Sequence, residues 1–263
     1  MFKLEKRPQQ SQKWIYLSPF LAVVITMISG GILFAILGEN PFEAIRIIFW
    51  DPLFDPNFAS YSRPQLLVKA GPLILIAIGL SFGFKAGVWN IGAEGQYIMG
   101  AIFGASLALA FYPMESKLIF PLMIIAGALG GFLWGMIPAF LKAKLNTNEI
   151  LVSLMLVYVA ESILASVSQG LLKNPDGYGF PGSRNLQKYE SAANVEIISN
   201  SGMHWGVLFA FITVIFSYIV LTRHIQGFNI QLTGEAPRAA KFSGVNPTAN
   251  IVLCLGISGA LAG

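Results

Sequence analysis

Amides and carboxylates set among apolar residues are where this sequence could do chemistry. The first cluster reads Asn90-Ile-Gly92-Ala-Glu94-Gly95-Gln96-Tyr97. A carboxylate at the centre of a bilayer is costly, about 2.5–3.5 kcal/mol for Asp on insertion scales, so Glu94 needs a partner or water, which Asn90, Gln96 and freed backbone groups could supply. Gly92 and Gly95 predict a helix broken or begun inside the membrane, its backbone lining a protein-enclosed cavity as at a substrate site. The plainer reading is a helix start at the membrane interface, with Glu94 as a first-turn acid favoured by the helix dipole. The second cluster, Asn146-Thr147-Asn148-Glu149, has the same two readings: a pathway segment, or a helix capped by Asn146 or Thr147 with Glu149 in its first turn. Glu161 stands alone in mid-helix and is predicted to face the bundle interior. Asn90, Glu94, Gln96, Asn148 and Glu149 are the candidate pathway residues.

Other chemistries find little to build on. His204 and His224 lie near membrane boundaries with no nucleophile or metal set beside them, and His204 next to Trp205 reads as interfacial. The single cysteine, Cys254, can form neither an intrachain disulfide nor a cysteine-based zinc cluster. No cofactor or metal is implied. No lysine is followed by Ser or Thr, so the chain lacks the phosphate-cradling G-x-x-x-x-G-K-[ST] loop and is not expected to be an ATPase itself.

A docking element is more clearly written. In the segment 222–250, Gly234-Glu235-Ala236-Pro237-Arg238-Ala239-Ala240-Lys241-Phe242-Ser243-Gly244 places a proline at a first helical position and a glycine just past the last. The helix of about two turns this predicts is too short to hold itself in water and needs a surface to lie on. Ala236, Ala239 and Ala240 permit close approach; Arg238 and Lys241 can steer towards an acidic rim.

The elements that must position these residues are membrane helices. Of 263 residues 55% are hydrophobic and only 11% charged, against about a quarter charged in soluble domains. Apolar stretches run from Ile15 to Leu37, Ala70 to Phe84, Ile91 to Phe111, Leu118 to Phe140, Ile150 to Val167, Trp205 to Leu221, and Ile251 to the end. Since about 20 residues cross the hydrocarbon core, the expectation is an all-α polytopic bundle of about seven spans, one membrane domain over 1–263. The stretch at Ala70 is short and Gly-interrupted. The last stops at Gly263 within an apolar run, which predicts that the natural chain continues. Glycines one turn apart, such as Gly127, Gly131 and Gly135, predict closely packed helices.

Orientation follows from the basic residues. With a cytoplasmic N-terminus, short inner segments hold Lys3, Lys6, Arg7, Lys13, Lys85, Lys142, Lys144, Arg223, Arg238 and Lys241. The much longer outer segments hold fewer, as the positive-inside rule requires. The net charge of +4 is spread over loops with no run longer than Lys6-Arg7, so no nucleic-acid partner is read. Outer segment Gly38 to Lys69, rich in Phe, Trp and Pro, can lie in the lipid interface. Outer segment Ser168 to His204, with turn formers at Asn174-Pro175-Asp176-Gly177, is either a docking surface for an external partner or a plain connection.

At the 234–244 segment the chain resembles permease subunits of ATP-binding-cassette importers, in the group of ribose, branched-chain amino acid and nucleoside systems. Asn90-Ile-Gly-Ala-Glu94-Gly-Gln96 and Asn146-Thr-Asn-Glu149-Ile look most like the nucleoside-type branch. The resemblance implies a permease that moves a nucleoside or simple sugar-like solute by alternating access. It implies a cytoplasmic ATPase subunit docked at Gly234, Glu235, Ala236, Arg238, Ala239, Ala240 and Gly244, a second permease subunit, identical or paralogous, and an external solute-binding protein. An ion-coupled secondary transporter using Glu94, Glu149 and Glu161 is the alternative.

Overall fold

A computed structural model describes residues 11–198 and 201–263; Lys3, Lys6 and Arg7 lie outside the described residues. Every regular element among them is helical, the one β feature being an isolated antiparallel bridge between Glu196 and His204. The chain divides into two compact units, 1–66 and 67–263.

In the first unit, α1 (Gln12–Ile36) runs for 25 residues through Pro19. Asn40 caps the short α2 (Pro41–Ile45), its side chain accepting from the Phe42 and Glu43 amides at 3.1 and 3.4 Å. A π-turn over Arg46–Trp50 and α3 (Asp51–Phe54) come next, with Phe42, Phe49, Trp50, Phe54 and Phe58 all exposed, as rings at headgroup level would be. The segment Gly38 to Lys69 is not loop to its end, because α4 (Ala59–Lys85) already begins at Ala59 and is 27 residues long. Pro64 and Pro72 each remove a backbone donor within it, and the polar start of this helix hid it from a reading based on apolar runs.

The second unit holds the end of α4 and then α5 (Ala93–Ala110), α6 (Ile119–Leu145), α7 (Glu149–Gln169), α8 (Trp205–Arg223), α9 (Ile225–Glu235), α10 (Pro237–Phe242) and α11 (Pro247–Ala262). Five helices, α1, α4, α6, α7 and α8, are long and apolar enough to cross a membrane. The two other apolar stretches form α5, which carries Glu94 and Gln96 near its start, and α11, which is 16 residues long.

Burial is inverted relative to a water-soluble protein. Ala108, Ala139, Ala160 and Ala210 are fully buried, while Phe216 and Met155 are 66% and 69% exposed. Between helices in lipid there is no hydrophobic gain from hiding large side chains, so contacts are made by small ones. α6 and α11 meet backbone to backbone. A Cβ on Gly259 would overlap the Gly131 carbonyl oxygen and sit 3.3 Å from the Gly135 Cα. Gly100 of α5 and Gly127 of α6 likewise leave no room for a Cβ beside Gly263.

The segment after α7 is folded onto the α5–α6 connection. Tyr189 is buried, its hydroxyl donates to the Met114 carbonyl, and its ring meets Tyr112 edge-on at 5.2 Å. Arg184 lies over the Tyr112 ring at 4.5 Å and pairs with Asp176 at 3.1 Å. Ser191 Oγ accepts from the Ser116 amide at 3.0 Å. An open cavity of about 580 Å³ beside this seam is lined by Glu115, Lys117, Phe120, Glu190 and Val195.

Candidate functional site

The non-helical turn between α4 and α5 is held by several buried contacts. Gly87, at φ +75°, ends α4, and Asn90 organises the turn beyond it. The Asn90 side-chain oxygen accepts from the Gly92 amide at 3.0 Å, and its NH₂ donates to Gln96 Oε1 at 2.8 Å and Ser258 Oγ at 2.9 Å. Asn90 and Gln96 are buried, at 4% and 1% exposure. Buried amides without partners cost about 1–3 kcal/mol each; here each supplies the other's partner. The turn is also fastened to α7, for Ser153 Oγ accepts from the Ile91 amide at 3.2 Å and a Cβ on Gly92 would lie 2.7 Å from the Ser153 carbonyl oxygen.

Glu94 stands apart from this node. It is exposed in the first turn of α5, and no hydrogen bond or ion pair engages it among the described residues. The predicted need for a protein partner is thus met by Asn90 and Gln96 for one another, while the carboxylate points away.

At the second cluster the cap is Asn148, not Asn146 or Thr147. Its oxygen accepts from the Ile150 and Leu151 amides at 3.0 and 3.4 Å, while Asn146 takes the left-handed conformation that ends α6, at φ 51°. Glu149 is buried and pairs with Lys142 at 2.9 Å. The two candidate clusters are therefore joined through α7, whose Ser153, one turn after Glu149, holds the turn that carries Asn90. Glu161 is exposed on α7, contrary to the interior position its isolation predicts.

The predicted loop helix is present, and its surroundings redistribute the candidate residues. Gly234 and Glu235 belong to the end of α9, a helix that Gly227, Thr233 and Gly234 disguise in the sequence by their low helical propensity. Ala236, at φ −148° and ψ 71°, breaks the chain before Pro237 opens α10. Ala240 is fully buried and anchors α10, while Arg238, Ala239, Lys241 and Gly244 are exposed. Phe242, 95% exposed, was not among the candidate residues; an aromatic at the end of a short basic helix is the signal that could have found it.

Both histidines are helix caps. His204 Nδ1 accepts from the Gly206 amide at the start of α8, and His224 Nδ1 from the Gln226 amide at the start of α9, each at 3.1 Å. Burial holds the His204 imidazole below its usual pKa. Among the described residues no group of three or more His, Cys, Asp or Glu could hold a metal ion.

Residues 63–263 match the family described as branched-chain amino acid transport system / permease component. The chain is 30% identical to a glucose ABC transporter permease protein of Haloferax volcanii, over 89% of this chain and 62% of that protein. It is 29% identical to a nucleoside ABC transporter permease protein of Lactococcus lactis, over 94% and 68%, and 25% identical to a guanosine ABC transporter permease protein of Bacillus subtilis, over 94% and 69%. The chain thus spans about two thirds of the length of these curated relatives. No solved structure matches it. A multi-pass helical protein whose residues 63–263 fit this model belongs to the family of branched-chain amino acid transport system permease components.

Proposed function

We propose that this chain is the membrane-spanning subunit of an ATP-driven ABC importer, moving a nucleoside or simple sugar-like solute across the cytoplasmic membrane by alternating access. The observation that carries the reading is α10, a six-residue helix fixed at Ala240 that turns Arg238, Ala239, Lys241 and Phe242 outward. An exposed aromatic flanked by basic residues is the composition of an interface anchor, and a cytoplasmic ATPase subunit is the partner such a helix would serve. The family supports this, as do relatives named for nucleoside, guanosine and glucose transport. A second permease subunit, identical or paralogous, an external solute-binding protein and membrane lipid complete the assembly. The seam of Tyr189 on the α5–α6 connection offers the external protein a firm surface.

In this mechanism the ATPase draws the α10 helices of two permeases together, and ATP contributes through its different affinity for the two states. Asn90, Glu94, Gln96, Asn148 and Glu149 are proposed to lie along or beside the pathway, with Glu94 the member free to meet solute. The ion-coupled alternative loses ground at Glu149, whose carboxylate is already paired with Lys142.

The test is association. Ala239→Asp places a charge on the exposed face of α10 and is expected to abolish co-purification of the ATPase subunit while leaving the permease level in the membrane unchanged. Retained association would remove the docking role from α10.

A further inference from the structure

The sequence groups Gly234 with the docking helix, but its contacts lie elsewhere. A Cβ on Gly234 would overlap the Lys85 carbonyl oxygen and lie 2.9 Å from the Gly87 amide nitrogen. Reciprocally, a Cβ on Gly87 would be 3.2 Å from the Gly234 Cα. The end of α9 therefore rests backbone to backbone on the turn that leads to Asn90.

α9 is held along its whole length. At its start Gly227 is pressed against the end of α8, where a Cβ would lie 2.8 Å from the Leu221 Cα. At its middle the buried Asn250 of α11 accepts from Gln226 Nε2 at 3.0 Å and donates to the Asn229 carbonyl at 3.2 Å and Thr233 Oγ1 at 2.9 Å. Lys85 Nζ ties the end of α4 to the Leu221 carbonyl at 3.2 Å. A helix of 11 residues, about 16 Å long at 1.5 Å per residue, is thus a strut with one face engaged, and its C-terminal end carries α10 through the single break at Ala236.

We infer that Gly234 is a positioning residue of the transport step: displacement of α10 passes through the Gly234–Gly87 contact into the α4–α5 turn and reorders the Asn90–Gln96–Ser258 node at the start of α5. Close-packed backbone transmits displacement where a side chain would absorb it. The turn has little slack, because Ser153 and Ser258 hold it from α7 and α11. A shift at Gly87 must either break those contacts or carry α5 with it, which is the discrete choice a two-state transporter needs. This inference rests on the reading of α10 as the ATPase contact.

The experiment uses the permease assembled with its ATPase subunits in lipid nanodiscs. Cys254 is replaced by Ser, and Ile91, whose side chain is 48% exposed in the turn, by Cys. The rate of maleimide labelling at position 91 is measured with and without ATP. In this parent ATP is expected to change the rate at least threefold; no change would overturn the inference. In Gly234→Ala, the ATPase subunits are expected to co-purify at the parent's stoichiometry while the ATP-dependent change falls to none. A change that persists overturns the inference, as does loss of the ATPase subunits, which would return Gly234 to the docking surface. If Gly234→Ala does not accumulate in the membrane, Lys85→Met removes one tether without adding bulk; a diminished ATP-dependent change supports the inference and an unaltered one overturns it. Phe242→Asp separates the underlying reading: ATPase subunits retained in that variant would refute docking at α10, whatever position 91 reports.

Discussion

Two neighbouring polar residues of the α4–α5 region are expected to respond to mutation in opposite ways. Asn90→Ala strands the Gln96 side chain and the Gly92 amide in a buried site, at about 1–3 kcal/mol for a group left unsatisfied. It should lower the melting temperature of the purified protein. Glu94→Gln touches no ion pair or hydrogen bond among the described residues, so melting should not move; a changed uptake rate is expected from its proposed place beside the pathway. His204 carries a pH dependence whose sign is fixed by its environment. Burial lowers its pKa in the folded protein from the usual 6.5, so the unfolded chain binds more protons as pH falls through 6.5. The stability it contributes is complete above that pH and declines below it towards the folded value, where protonation of Nδ1 costs α8 its cap. The expected result is a lower protection factor for the Gly206 amide, its exchange rate taken against the intrinsic rate at each pH, as pH drops from 7.5 to about 5.5, with no such loss in His204→Asn.

At the scale of elements, the segment after α7 is a test of whether turn-rich sequence means loose structure. Tyr189 seats its ring against Tyr112 and its hydroxyl on the Met114 carbonyl. Tyr189→Phe keeps the ring and removes the bond, a change of about 0.5–1.5 kcal/mol. Limited proteolysis of residues 170–198 should accelerate about 2- to 12-fold, taking 1.4 kcal/mol per factor of ten, with no effect on the membrane helices. Unchanged cleavage would mean that Arg184 and Ser191 hold the seam by themselves. The two helices after α8 show the opposite economy: α10 offers its face outward while α9, next to it, gives one whole face to its own protein.

For the whole molecule, the distribution of basic residues predicts the N-terminus and the segment 222–250 on the cytoplasmic side, and the segment 168–204 outside. In a background lacking Cys254, an impermeant thiol reagent applied to intact cells should label Tyr178→Cys, since Tyr178 is 99% exposed. It should fail to label Phe242→Cys, which is almost equally exposed. The reverse pattern would invert the topology and with it the side on which an ATPase could dock. The same pair tests whether the crossings between residues 178 and 242 are odd in number, as α8 alone between them requires.

The all-helical class, the membrane as solvent, and the frame of the loop helix by Pro237 and Gly244 were legible in the residues, because each depends on composition or local backbone preference. Glycine spacing in α6 announced close packing for the same reason. Which partner each glycine and amide meets was decided by the tertiary structure alone. Asn90 and Gln96 read as partners for Glu94, and the structure instead pairs them with each other and with Ser258, 168 residues from Asn90; Gly234 read as part of the docking helix, and the structure sets it in α9 against Gly87. The start of α4 and the whole of α9 escaped notice because prolines, glycines and polar residues lower their intrinsic helicity, and packing restores it. Sequence specifies the preferences of a chain with itself over a few residues. Which buried polar group finds which partner is settled only when distant helices converge and none can be left unpaired.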